Sequence, residues 1–219
     1  MGWRFIARDM LRHNDFLPLL RSLPKERLDE IHTVVHLLIE KYPQQRTDLT
    51  AGPAYFLLHY LMSDLYTALA LYQTEPAGSS QALLTKMDAC LVQAGEKANK
   101  MMRHIMALPG SFSVVRALVP KVMVMGNGKG FTVTAVSCGR DGFGFDVTEC
   151  PFHHLFATHG CPELGPIFCH FDEVESASLP GLQFLRQGTL CTGCDRCDFR
   201  YTRYRQLAVS THNHSLSKM

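Results

Sequence analysis

Apolar positions along the 219-residue chain change their period near its middle. In the first half they recur every three or four residues. Leu28, Ile31, Val35, Leu38 and Ile39 mark one face of a segment that opens at Pro24 and stops before Pro43, which predicts a helix through Lys41. A short helix is expected over Asp9 to Leu20, a third from about Ala54 to Tyr72, and a fourth from about Gln81 to Leu108, with Gly95 inside it. Pro109-Gly110 breaks the pattern, and a short helix Phe112 to Leu118 follows.

After Pro120 the reading changes to strands. Val122–Met125, Phe131–Ser137 and Phe143–Thr148 predict an antiparallel meander turning at Gly126–Gly130 and at Asp141-Gly142. Two helical pieces, about Cys150 to His159 and Glu163 to Ser176, precede a last pair of strands, Leu182–Arg186 and Phe199–Leu207. The expected class is α+β: a helical N-terminal half followed by a mostly antiparallel sheet of about five strands with two inserted helices. In residue terms this is a helical region 1–119, a sheet region 120–209 carrying the chemistry, and a disordered tail 210–219, in one integrated domain.

Composition narrows the field without naming a function. Apolar residues make up 46% and charged residues 19%, an ordinary globular balance. The net charge of +2 supplies no electrostatic reason to expect nucleic acid or a membrane surface. Arg200, Arg203 and Arg205 alternate with other residues on a strand and split between its faces, so they make no basic stripe. The most apolar stretch, Leu49 to Leu71, contains Gly52, Pro53, His59 and Asp64 and reads as a buried helix, not a membrane span. MGWRFIARDMLRHND has no signal-peptide pattern, so a cytoplasmic location and reduced cysteines are expected.

The cysteines carry the candidate chemistry: seven of eight lie between Cys138 and Cys197. Cys150 follows a strand and opens a helix, where the positive end of the helix dipole favours thiolate. His153 and His154 lie within one turn of it and are candidate proton carriers; the plainer reading is a structural thiol with two surface histidines. Cys169 and Asp172 share a helix face, with His170 about a quarter-turn away. Cys191, Cys194 and Cys197 form a C-x2-C-x2-C loop. That spacing lacks a second C-x2-C pair for a four-thiolate zinc site and fails the iron–sulfur run, since Tyr201 stands where a fourth cysteine would be. No cofactor is expected, with zinc on Cys191, Cys194 and Cys197 as the alternative. Gly126-x-Gly-x-Gly130 reads as a hairpin turn, not a phosphate loop.

Three motifs taken in order resemble the L-2-amino-thiazoline-4-carboxylic acid hydrolase family. They are a strand ending in cysteine, Phe145-Asp-Val-Thr-Glu-Cys150; a helix with Cys169-His-Phe-Asp172; and Arg186-Gln-Gly-Thr189 leading to Cys197-Asp-Phe199. The resemblance covers about Phe143 to Tyr201. It implies a hydrolase that opens a cyclic amidine or isothiourea at a C–N bond by a cysteine-assisted route, in amino-acid metabolism. The motif positions are Cys150, Cys169, Asp172 and Cys197; Cys191, Cys194, His153 and His154 are additions to the pattern.

On that reading Cys150 or Cys169 is the nucleophile, Asp172 engages the amidine nitrogens, and His153, His154 or His170 shuttle protons; direct attack by water with Asp172 as base is the alternative. Arg186, with His170 and Cys197, holds a small-molecule substrate. A non-enzymatic small-molecule or metal sensor is the alternative, its outline similar to vinyl-reductase-like sensor domains. A helper subunit docking, or self-associating, through its N-terminal helices is a third reading.

Overall fold

Pro24 sets the start of the second helix. Its extended backbone (φ −65°, ψ 157°) leads into α2, Lys25–Lys41, after the single turn α1, Leu17–Leu20. The computed structural model describes residues 14–42, 53–76, 78–128 and 130–203, and for 53–60 the backbone alone. Asp9 to His13, Tyr204 to Leu207 and the tail therefore lie outside the described residues. Ile31, Val35, Leu38 and Ile39 are buried, as their spacing predicts.

α3, Pro53–Gln73, is the centre of the helical part. Every residue from Met62 to Leu71 is buried, including Ser63, Asp64 and Thr67. The Asp15 N–H donates to Asp64 Oδ1 at 2.9 Å, and Asn14 Nδ2 donates to Thr67 Oγ1 at 3.4 Å. Burial pushes the Asp64 carboxyl well above the usual range. The described part of the apolar run, Met62 to Leu71, is thus used inside the chain's own core. No helix among the described residues is long and apolar enough to cross a membrane.

α4, Ser80–Met106, buries Leu83, Met87, Leu91 and Gly95. Gly95 has a packing reason. A Cβ there would lie 3.0 Å from Val174 Cγ1 and 3.3 Å from the Phe171 carbonyl oxygen, so glycine lets the later helix α7, Gly165–Ser176, approach closely.

α5 runs from Ser111 to Val124 straight through Pro120. This replaces both the short helix to Leu118 and the expected strand Val122–Met125. Phe112 and Val115 are buried, and Val119 and Met123 pack against clusters of the sheet region. These four recur at helical spacing. The run resembles a strand because the opposite face of the helix is apolar too. In consequence Gly126–Gly130 joins a helix to a strand, and Asn127 fastens it: the Val133 N–H donates to Asn127 Oδ1 at 2.6 Å and Asn127 Nδ2 donates back to the Val133 carbonyl at 2.9 Å.

The sheet has four antiparallel strands, β1 (Thr132–Val136), β2 (Gly142–Glu149), β3 (Leu182–Leu185) and β4 (Cys197–Arg203), in the order β1-β2-β4-β3. β2 and β4 lie at its centre, with Phe145 opposite Phe199 and Val147 opposite Cys197. The expected α+β class holds, with four strands where about five were expected. Between β2 and β3 come α6, Pro151–Thr158, and α7. Phe152, Leu155, Phe156 and Leu164 join the helical core, and Cys150 touches both that core and the sheet cluster. The end of β2, the face of α7 and the start of β4 therefore meet where helices and sheet join.

Candidate active site

Cys150 follows β2 and stands at the N-cap position of α6 in an extended conformation (φ −137°, ψ 125°), with Pro151 in the first helical turn. α6 buries Pro151, Phe152, Leu155 and Phe156, so His153 and His154 fall on its exposed side. Burial dominates the Cys150 thiol and pushes it up to about 12, although the N–H groups of His153 and Phe152 pull the other way. At neutral pH this sulfur keeps its proton.

On α7, Gly165, Cys169 and Asp172 follow one another along one face. His170 turns outward and hydrogen-bonds Asp88 of α4 at 2.8 Å. Opposite that face stands the loop between β3 and β4. Thr189 and Thr192 exchange side-chain and backbone hydrogen bonds that close a 3-10 turn, Leu190–Thr192. A Cβ on Gly165 would lie only 2.6 Å from Cys191 Sγ, so glycine makes room for this thiol against the helix. Gly188 does the same for Cys194, whose sulfur would be 2.4 Å away. The Gln187 and Gly188 N–H groups both donate to Asp198 Oδ1 at 2.9 Å, which ties the loop to β4.

Cys169 is the thiol favoured as thiolate. The Cys191 thiol beside it is the largest influence and favours the charged sulfur. Burial opposes ionisation, while the Thr189 hydroxyl and the Arg186 charge support it; the outcome is a fall to about 6. Cys191, as donor, is correspondingly pushed up. Cys197 is raised to about 11 by burial and accepts from the Leu190 N–H at 3.3 Å.

Arg186, just past β3, is almost completely buried, with 3% of its side chain exposed. Its guanidinium donates to Asp172 Oδ2 at 2.8 Å, to Glu173 Oε1 at 2.8 Å and to the Cys169 carbonyl at 2.7 Å. It also lies over the rings of Phe199 and Phe184, at 5.2 and 5.7 Å. Burial lifts the Asp172 carboxyl to about 7 despite the arginine beside it, and the Cys169 charge adds to the rise. Asp172 nevertheless keeps 35% of its side chain open to solvent. A crowded but reachable carboxyl is what the floor of a cleft presents.

Several of these groups lie within electrostatic reach of one another. Cys150 senses Cys197 and Asp172, and Cys191 senses Cys169, Cys150 and Cys197. The geometry thus gathers Cys150, Cys169, Asp172, Arg186, Cys191 and Cys197, and it leaves His153, His154, His170 and the exposed Cys194 outside. The loop thiols face different partners, and among the described residues no three His, Cys, Asp or Glu side chains form a metal-holding group. An open depression of about 530 Å³ adjoins the site; Glu173 and Phe184, both partners of Arg186, line it, but no cysteine does. Pattern reading passed over Thr189, Glu173 and the donor role of Cys191. The Thr189-x-x-Thr192 spacing signals a capped turn, but no local spacing says that the turn faces Cys169.

The sequence model of the L-2-amino-thiazoline-4-carboxylic acid hydrolase family matches residues 60–201. The chain belongs to this family. No curated protein and no solved structure matches it. The family match begins within α3, well before Phe143. Membership supports a hydrolase-like function in general.

Proposed function

We propose that the chain hydrolyses a cyclic amidine or isothiourea of the 2-aminothiazoline-4-carboxylate type, with Cys169 as nucleophile and Asp172 as the acid–base group. The observation carrying this reading is geometric: Cys169 and Asp172 share one face of α7, and the Arg186 guanidinium grips both the Asp172 carboxyl and the Cys169 carbonyl. Neighbouring groups favour the Cys169 thiolate, and burial raises the Asp172 carboxyl. Around neutrality one is mostly ionised while the other still has a proton to give.

The ring carbon between sulfur and two nitrogens is electrophilic once the amidine is protonated. Cys169 Sγ adds to it. One ring bond to that carbon breaks, and the leaving ring atom takes the proton of Asp172. Water then adds to the enzyme-bound carbon while the Asp172 carboxylate removes its proton. Cys169 departs as thiolate, leaving the oxygen of water in a carbamoyl product.

Arg186 has protein groups as its acceptors and acts as a positioning residue: it aims Asp172 and holds the Cys169 turn of α7. Cys191 and Thr189 hold the thiolate. Cys150, with its raised pKa, is a packing thiol at the helix–sheet junction. A metal sensor would need a group of three His, Cys, Asp or Glu ligands, and none is formed among the described residues.

The test is turnover of 2-aminothiazoline-4-carboxylate by purified variants. Cys169→Ser and Asp172→Asn are each expected to lose about 10²-fold or more, the usual scale for a lost nucleophile or acid–base group. Cys150→Ser should stay within a few-fold. A Cys169→Ser enzyme at the parent rate would remove the mechanism.

A further inference from the structure

α5 is apolar on two faces, and only one is covered. Val114, Leu118, Val122 and Met125 lie on the outer side and are 56%, 54%, 43% and 56% exposed. Met101, Ile105 and Leu108 at the end of α4 are 61%, 39% and 63% exposed. Of the ten large hydrophobic residues exposed among the described residues, eight lie between Met101 and Met125. A helix apolar all round is normally covered all round, and an exposed apolar patch of this extent marks a surface that meets something.

Charge identifies what it meets. From Lys97 to Arg140 the sequence contains seven Lys or Arg residues and no Asp or Glu. The chain as a whole carries +2, so its other residues together carry −5 (+2 less +7). The whole-chain balance therefore hides a segregation. Lys97, Lys100, Arg103 and Lys121 are all exposed, and Lys97 and Lys121 stand within one helical turn of Met101 and of Leu118 and Met125, respectively. Arg116 is occupied, donating to the Gly139 and Arg140 carbonyls at 3.3 and 3.2 Å. A second copy would set two basic faces against each other, which repulsion opposes. Hydrocarbon side chains flanked by exposed cations fit the surface of an anionic bilayer, where apolar groups enter the headgroup boundary and long basic side chains reach lipid headgroups.

We propose that the α4–α5 hairpin is a peripheral docking surface for anionic lipid bilayers. It lies on the membrane and does not span it. The surface is separate from Cys169 and Asp172, and the proposal stands whether or not the chain opens thiazolines.

The experiment is co-sedimentation of the full chain with phosphatidylcholine vesicles, with and without phosphatidylserine. Binding to the serine-lipid vesicles and not to phosphatidylcholine alone is expected, weakening as salt rises. Lys100→Gln and Lys121→Gln should each lower the partition coefficient about fivefold. The double variant Leu118→Asn, Met125→Asn should lower it about tenfold or more while the chain stays folded with only a small fall in melting temperature, since each side chain is already more than half in water. Cys169→Ser should bind like the parent, which keeps this result independent of the hydrolase assay. Absence of binding to phosphatidylserine vesicles, or equal binding to both kinds, overturns the proposal. A parent dimer that the double variant converts to monomer, without vesicle binding, would assign the face to a second copy instead.

Discussion

Replacing Cys191 by alanine tests the organisation of the site most directly, because Cys191 takes no part in the proposed bond changes. In the parent, the Cys191 sulfhydryl is the leading support of the Cys169 thiolate, which titrates near 6. A hydrogen bond to a charged acceptor is worth about 1.5–3 kcal/mol. At about 1.4 kcal/mol per pKa unit, its loss should move Cys169 to about 7–8. At pH 7 the thiolate share then falls from roughly nine-tenths to between roughly one-half and one-tenth. The assay is the rate of iodoacetamide labelling of the Cys169 peptide across pH, followed by mass spectrometry so that exposed Cys194 is scored separately. Cys150, at about 12, and Cys197 and Cys161, each at about 11, should label slowly throughout. Cys191→Ser keeps a donor and should retain part of the shift. A Cys191→Ala midpoint equal to the parent's, or a parent midpoint near 9, would refute the reasoning.

Two other outcomes follow from the same geometry. Turnover needs Cys169 ionised and Asp172 protonated, so kcat/KM should rise as pH increases through about 6 and fall through about 7; Cys191→Ala should move the acidic limb upward, and a flat profile would exclude this acid–base pair. Arg186→Met removes the cation from Asp172 and Glu173, which are themselves 35% and 60% exposed, and should cost about 1–2 kcal/mol, a fall in melting temperature of about 2–8 °C for a chain of this size, read by thermal unfolding, with Arg186→Lys in between; an unchanged melting temperature would show that the network contributes nothing net.

Much of the helical half is readable locally because each helix buries one continuous face. Leu28 to Ile39 repeats at helical spacing, and the chain folds accordingly. α5 defeats that reading. Val122-Met-Val-Met125 follows a proline and is apolar at every position, so its period carries no information; the choice of helix comes from Val119 and Met123 packing on the sheet. Gly95 likewise reads as a weakness within a helix until Val174 is seen against it. At the site, the one-face relation of Cys169 and Asp172 follows from three-residue spacing on a helix. The same arithmetic sends His153 and His154 toward Cys150, yet Phe152 and Phe156 claim the buried side of that helix and leave the histidines in solvent.

The amino-acid order alone determines the α+β class, the family, and the restriction of candidate chemistry to the stretch from Cys138 to Cys197, because these depend on periodicity and on motifs that are local in the chain. Which sulfur carries charge is a tertiary property. Cys150 and Cys169 both sit on short helices, and both are partly enclosed. One is buried with only weak backbone support. The other receives a thiol and a hydroxyl from a loop about twenty residues further on and lies near a buried arginine. Ionisation follows the sum of desolvation and hydrogen bonding at a point in space, and only the folded chain brings those groups to that point.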